Sequence, residues 1–110
     1  MSGLRKIGVE LLYFDGCPTY KTALRDIREI VKQEGLDADV TLTRVESEEE
    51  ARQLRFVSSP TVRVNGADVE PAAKESKDFG LRCRIYRVDG RILGSPSKNM
   101  LKSALTRGLR

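Results

Sequence analysis

The stretch Ile7-Gly8-Val9-Glu10-Leu11-Leu12-Tyr13-Phe14-Asp15-Gly16-Cys17-Pro18-Thr19-Tyr20 changes its period midway, and that change sets the fold. Ile7 to Phe14 is a nearly continuous apolar run, the pattern of a central strand covered on both faces. Asp15-Gly16 is turn chemistry. From Pro18 onward the apolar residues Tyr20, Ala23, Leu24, Ile27, Ile30 and Val31 recur at steps of three and four, forming one helical face. Arg25, Arg28, Glu29 and Lys32 lie largely opposite. Pro18 suits the first helical turn, where its missing N–H costs nothing, and Gly35 ends the helix. Cys17 therefore stands where a strand gives way to a helix. A helix N-terminus presents unpaired N–H groups and roughly half a positive charge, and both favour thiolate over thiol.

Outward from this junction, Ala38 to Val45 alternates through Val40 and Leu42 and reads as a second strand. Ser47-Glu48-Glu49-Glu50 is a capping box opening a short helix that buries Ala51, Leu54 and Phe56. Pro60 to Val64 is a third strand, closed by the turn Asn65-Gly66. Residues 66 to 80 lack periodicity and read as a long loop. Leu81 to Val88 is a fourth strand, followed by Asp89-Gly90 and a short extension through Leu93. Ser95-Pro96-Ser97 opens a last helix with Met100, Leu101, Ala104 and Leu105 inward. The order β-α-β-α-β-β-α over residues 1–110 predicts a single α/β domain. Its crossover helix makes the first two strands parallel, and the last two can pair antiparallel. The result is a four-stranded mixed sheet with helices on both faces.

Composition removes several chemistries. The chain has no histidine, which excludes the usual Cys/His zinc sites, Cys-His nucleophile pairs and imidazole catalysis, and no metal is expected. Two cysteines are too few for a disulfide scaffold. The net charge of +4 is modest and spread along the chain, with six aromatic residues and no ribonucleoprotein-type motif, so nucleic acid is not expected as a partner. No apolar run is long enough to span a membrane and no signal peptide is evident, which predicts a cytoplasmic protein.

Three blocks carry a resemblance: Phe14-Asp15-Gly16-Cys17-Pro18, Ser59-Pro60-Thr61-Val62, and Gly80-Leu81-Arg82-Cys83-Arg84-Ile85-Tyr86. The first two resemble the thioredoxin superfamily, in which a proline lies against the redox cysteine. All three together resemble the bacterial DF family of thioredoxin-like (seleno)proteins. Some members of that group carry selenocysteine where this chain has Cys17, which implies redox or soft-nucleophile work at that position. The resemblance implies a thioredoxin-like fold and a cis Ser59-Pro60 bond, and it supplies no substrate. Dithiol thioredoxins place their second cysteine at the position of Tyr20, so that resolution step does not carry over.

The expected site is Cys17 as the catalytic thiol, with Pro18, Tyr20, Lys21, Ser59, Pro60 and Thr61 as substrate-binding residues. Lys21, one turn on, favours the thiolate, and Asp15 opposes it unless directed elsewhere. Tyr20 is expected to pack, with its hydroxyl near the sulfur. Cys83 is the candidate resolving thiol. On a strand running parallel to the first it would lie roughly 15 Å from Cys17, outside disulfide reach, which favours a structural role. The leading function is a one-thiol redox protein, a thiol–disulfide oxidoreductase or thiol-dependent reductase. It would act on a protein or small-molecule disulfide and be resolved by an external thiol such as glutathione, with no bound cofactor. The alternative is a non-catalytic binding or regulatory module on the same fold.

Overall fold

A computed structural model describes residues 6–70, 79–81, 86–88 (for 87 and 88 the backbone) and 90–107. The chain runs β1 (Ile7–Tyr13), α1 (Tyr20–Gln33), β2 (Ala38–Arg44), α2 (Glu48–Gln53), β3 (Thr61–Val64), β4 (Ala67–Asp68), β5 (Tyr86–Val88), β6 (Arg91–Leu93) and α3 (Lys98–Arg107). Four strands form a mixed sheet in the order β2-β1-β3-β4. The α1 crossover makes β1 and β2 parallel, paired from Ile7↔Ala38 to Tyr13↔Arg44. β3 returns antiparallel to β1, from Leu12↔Thr61 to Val9↔Val64.

The main core lies on one face of this sheet. Ile7, Val9 and Leu11 of β1 and Val62 and Val64 of β3 pack against Ala23, Ile27 and Ile30 of α1. Leu101, Ala104 and Leu105 of α3 join the same cluster. The two helices are tied at their rims by ion pairs Lys98–Glu29 (3.0 Å) and Lys102–Glu34 (3.7 Å). One polar residue shares the buried side of α1: Asp26 is 6% exposed, and its Oδ1 has no hydrogen-bond partner. Its nearest cation is the neighbouring Arg25, at 3.8 Å.

The opposite face carries a smaller cluster of Leu12, Val45, Ala51 and Phe56, with Phe14 and Leu54 against it. Six-residue α2 covers only this end, so Gly8 is exposed and Glu10 half-buried. β1 is central in the sheet but not covered along both whole faces, as its apolar run had suggested. The α2 cap forms as expected, Glu50 N–H donating to Ser47 Oγ at 3.1 Å. The Glu50 carboxylate reaches back to Glu46 N–H (3.3 Å), one residue before the cap.

Two expectations need correction. Among the described residues the fourth strand of the sheet is β4; of the strand expected at 81–88, residues 82–85 lie outside the described residues. Asn65 (φ 51°) and Gly66 (φ 86°) both adopt the left-handed region, so a two-residue turn brings the chain straight back along β3 to fill that edge. Among the described residues β5 pairs with β6 instead, as a separate hairpin from Tyr86↔Leu93 to Val88↔Arg91. Pro18 also lies outside α1: Thr19 is the N-cap, and the preceding turn closes through Lys21 N–H to Pro18 O at 3.1 Å. At the other end Gly35 (φ 61°) does terminate the helix. The loop expected at 66–80 includes β4, and its residues 71–78 lie outside the described residues.

Candidate functional site

At the end of β1 the chain turns tightly to enter α1. Cys17 N–H donates to Phe14 O at 3.2 Å, closing the turn through Asp15 and Gly16. The Phe14 ring packs over Gly16: a Cβ there would sit 2.4 Å from its Cε2 and would have to displace the ring. Phe14 N–H in turn donates to Ser59 Oγ at 3.3 Å, joining this turn to a segment 45 residues away.

That segment carries a cis Ser59-Pro60 peptide. It is buried and fully braced: Thr61 Oγ1 donates to Ser58 O, and Tyr86 Oη donates to Pro60 O at 2.6 Å. Cys17 lies against it, with Sγ 3.7 Å from Ser59 O. The strand-helix junction and the proline segment therefore meet at the cysteine.

Cys17 is 3% exposed and disulfide-bonded, so in this state its sulfur is not a thiol. The one other cysteine in the sequence, Cys83, lies outside the described residues. The separation expected for Cys83 therefore also falls outside the described residues. A disulfide sulfur has no proton, so the approach to Ser59 O is a packing contact here and becomes a hydrogen bond only when Cys17 carries S–H.

Thr19 Oγ1 is 3.3 Å from Cys17 Sγ, and with the sulfur in a disulfide the hydroxyl is the donor. An N-cap threonine ordinarily turns its oxygen to an amide of the first turn. Thr19 does not: its backbone is helical (φ −63°, ψ −14°) and its side chain makes no cap bond. Gly94 leaves room for this side chain, since a Cβ there would lie 2.9 Å from Thr19 Cγ2. Neither residue was among the expected site residues. Thr19 carried a faint signal, a hydroxyl two residues after the cysteine; Gly94 carried none.

The other expected residues divide. Asp15 is directed away, its carboxylate 2.7 Å from Arg44 at the end of β2. Tyr20 stacks on Tyr13, centroids 4.0 Å apart and 18° between planes, and makes no hydrogen bond to the sulfur. Lys21 is exposed on the outer face of α1, beside Leu24 and Arg25. Ser59, Pro60 and Thr61 are buried, so in this state they support Cys17 and do not face solvent. α1 has no acidic residue in its first turn, which leaves its N-terminal partial charge unopposed from within the helix.

Among the described residues no three His, Cys, Asp or Glu side chains gather as a metal site, and no helix is long and apolar enough to cross a membrane. Comparison with known proteins gave no matching family model, no matching curated protein and no matching solved structure.

Proposed function

We infer that this chain is a thioredoxin-like thiol–disulfide exchange protein whose working sulfur is Cys17. The observation that carries the reading is a disulfide-bonded cysteine at the entry to a helix, with a hydroxyl donor 3.3 Å from its sulfur. The strand-helix-strand entry, the mixed sheet and the proline segment against the cysteine also support it.

In the reduced protein the Thr19 hydroxyl and the N-terminus of α1 both favour the Cys17 thiolate. The thiolate attacks one sulfur of a substrate disulfide. That S–S bond breaks, the other substrate sulfur leaves as a thiolate and takes a proton, and Cys17 is held in a mixed disulfide. A second thiolate then attacks the Cys17 sulfur, releasing the substrate as a dithiol and leaving Cys17 in the oxidised state described here. The substrate gains two electrons and the protein loses two.

The disulfide at Cys17 favours an internal second sulfur over an external one, and Cys83 is the residue the sequence offers. Glutathione or another thiol then serves as the reductant that restores the dithiol. A disulfide cycling in this way fits the cytosol, where such bonds are transient and catalytic.

The test is reduction of a peptide disulfide by wild type, Cys17→Ser and Cys83→Ser proteins, followed by mass spectrometry. Wild type should turn over, Cys17→Ser should be inactive, and Cys83→Ser should accumulate the peptide on Cys17. Full turnover by Cys83→Ser would return the resolving thiol to the solvent. A wild type that reduces nothing would leave the non-catalytic binding module.

A further inference from the structure

We propose that the outer face of α1 is a docking strip for an acidic polypeptide segment, the one that delivers a disulfide to Cys17. The proposal rests on the exchange activity inferred above. Lys21, Arg25, Arg28 and Lys32 are all exposed and recur at steps of four, three and four. At 3.6 residues per turn they fall within about 60° of one another around the helix, and at 1.5 Å per residue they span about 16 Å along it. With half-buried Leu24 and with Glu29 they line one shallow depression.

The strip carries unspent positive charge. Glu29 is committed to Lys98 of α3 at 3.0 Å, and Arg25 pairs with buried Asp26 at 3.8 Å. Among the described residues Lys21, Arg28 and Lys32 make no ion pair. The arrangement also works against the helix. The pairs 21/25, 25/28 and 28/32 place like charges one turn apart, each costing about 0.2–0.5 kcal/mol, and Lys21 in the first turn opposes the helix dipole. A glutamate at position 21 or 25 would relieve both. Retaining four cations on one line makes sense when an external anion offsets them.

The geometry favours an acidic protein segment as that anion. Carboxylates three and four residues apart on a partner helix repeat at about 4.5–6 Å, the rise between successive cations here. Leu24 adds an apolar contact mid-strip. Base stacking would need aromatic rings, and membrane insertion several large apolar side chains; of the residues lining the depression only Leu24 is apolar and none is aromatic. Its first residue, Lys21, follows Cys17 by four positions, so the acidic run of a partner lying along the strip ends beside the turn that carries the cysteine.

The test separates docking from chemistry. A fluorescent cysteine-free peptide with Glu at three- and four-residue steps is titrated with full-length Cys17→Ser protein, read by anisotropy. Binding should weaken with added salt and fall about tenfold in Cys17→Ser carrying Arg25→Glu and Arg28→Glu. Arg25→Gln with Arg28→Gln, which removes like-charge repulsion, should show the same direction and guards against unfolding. In the otherwise wild-type protein these pairs should slow reduction of a disulfide on the acidic peptide about tenfold and leave a neutral peptide disulfide unaffected. Equal loss on both disulfides, unaltered binding in both variants, or tighter binding of a single-stranded oligonucleotide than of the acidic peptide would overturn the proposal. Salt-sensitive peptide binding that the variants abolish upholds the strip even if no disulfide is reduced, and only the exchange reading then falls.

Discussion

The two faces of the sheet do different work. The face under α1 and α3 is a broad apolar cluster built from residues that repeat with helix or strand period. The face under α2 holds a small cluster of four buried side chains, and the turn that presents Cys17 leans on it through Phe14. Around that turn the decisive contacts are single atoms: Phe14 N–H on Ser59 Oγ, Thr19 Oγ1 on Cys17 Sγ, Tyr86 Oη on Pro60 O. Many interchangeable contacts secure the fold, whereas a few unique ones place the sulfur.

The largest test of this contrast sets Ile27→Ala, in the broad core, against Phe56→Ala, in the small one. Each should cost about 3 kcal/mol of stability by urea unfolding. Only Phe56→Ala should also slow disulfide exchange under conditions where both proteins are folded. Equal slowing in both would erase the distinction.

Tyr86→Phe comes next. It removes the hydroxyl that donates to the buried Pro60 carbonyl, and should cost about 1–3 kcal/mol in the same unfolding measurement, a large effect for one oxygen. Thr19→Val should leave stability nearly unchanged yet lower the thiolate fraction of reduced Cys17 about threefold at neutral pH, followed by ultraviolet absorbance. Thr19→Ser should restore it, and Gly94→Ala should reproduce the loss by displacing Thr19. If the valine variant ionises like wild type, the hydroxyl is a packing accident.

The smallest expected change is a gain, and it belongs to the broad core. Asp26→Leu removes a buried carboxylate oxygen that has no hydrogen-bond partner and only a 3.8 Å approach from Arg25, and should raise stability by about 1 kcal/mol, seen as a higher Tm. A loss instead would show that Asp26 is satisfied by something other than the described residues.

Much of this could be read from the chain in one dimension. The helical face of α1, the Ser47 cap, the Gly35 stop and the Asn65-Gly66 turn depend on residues within one or two turns of each other, so local pattern suffices. Cys17 was legible as well, because a thiol at a strand-helix junction has local electrostatic consequences. β4 was not: it is only two residues long, too short for periodicity, yet it pairs along β3 at the edge of the sheet. No local pattern marks Thr19, because the approach of its hydroxyl to the Cys17 sulfur exists only in the folded chain.

The sequence by itself determined the three helices, the first three strands and which sulfur stands at a helix entry, because these follow from period, caps and turns. Tertiary structure alone decided what surrounds that sulfur: its disulfide state, the Ser59 carbonyl, the Thr19 hydroxyl and the glycine behind it. Those contacts join residues as many as 75 positions apart (19 to 94) to within a few ångströms, and no local pattern records a distance that only packing creates.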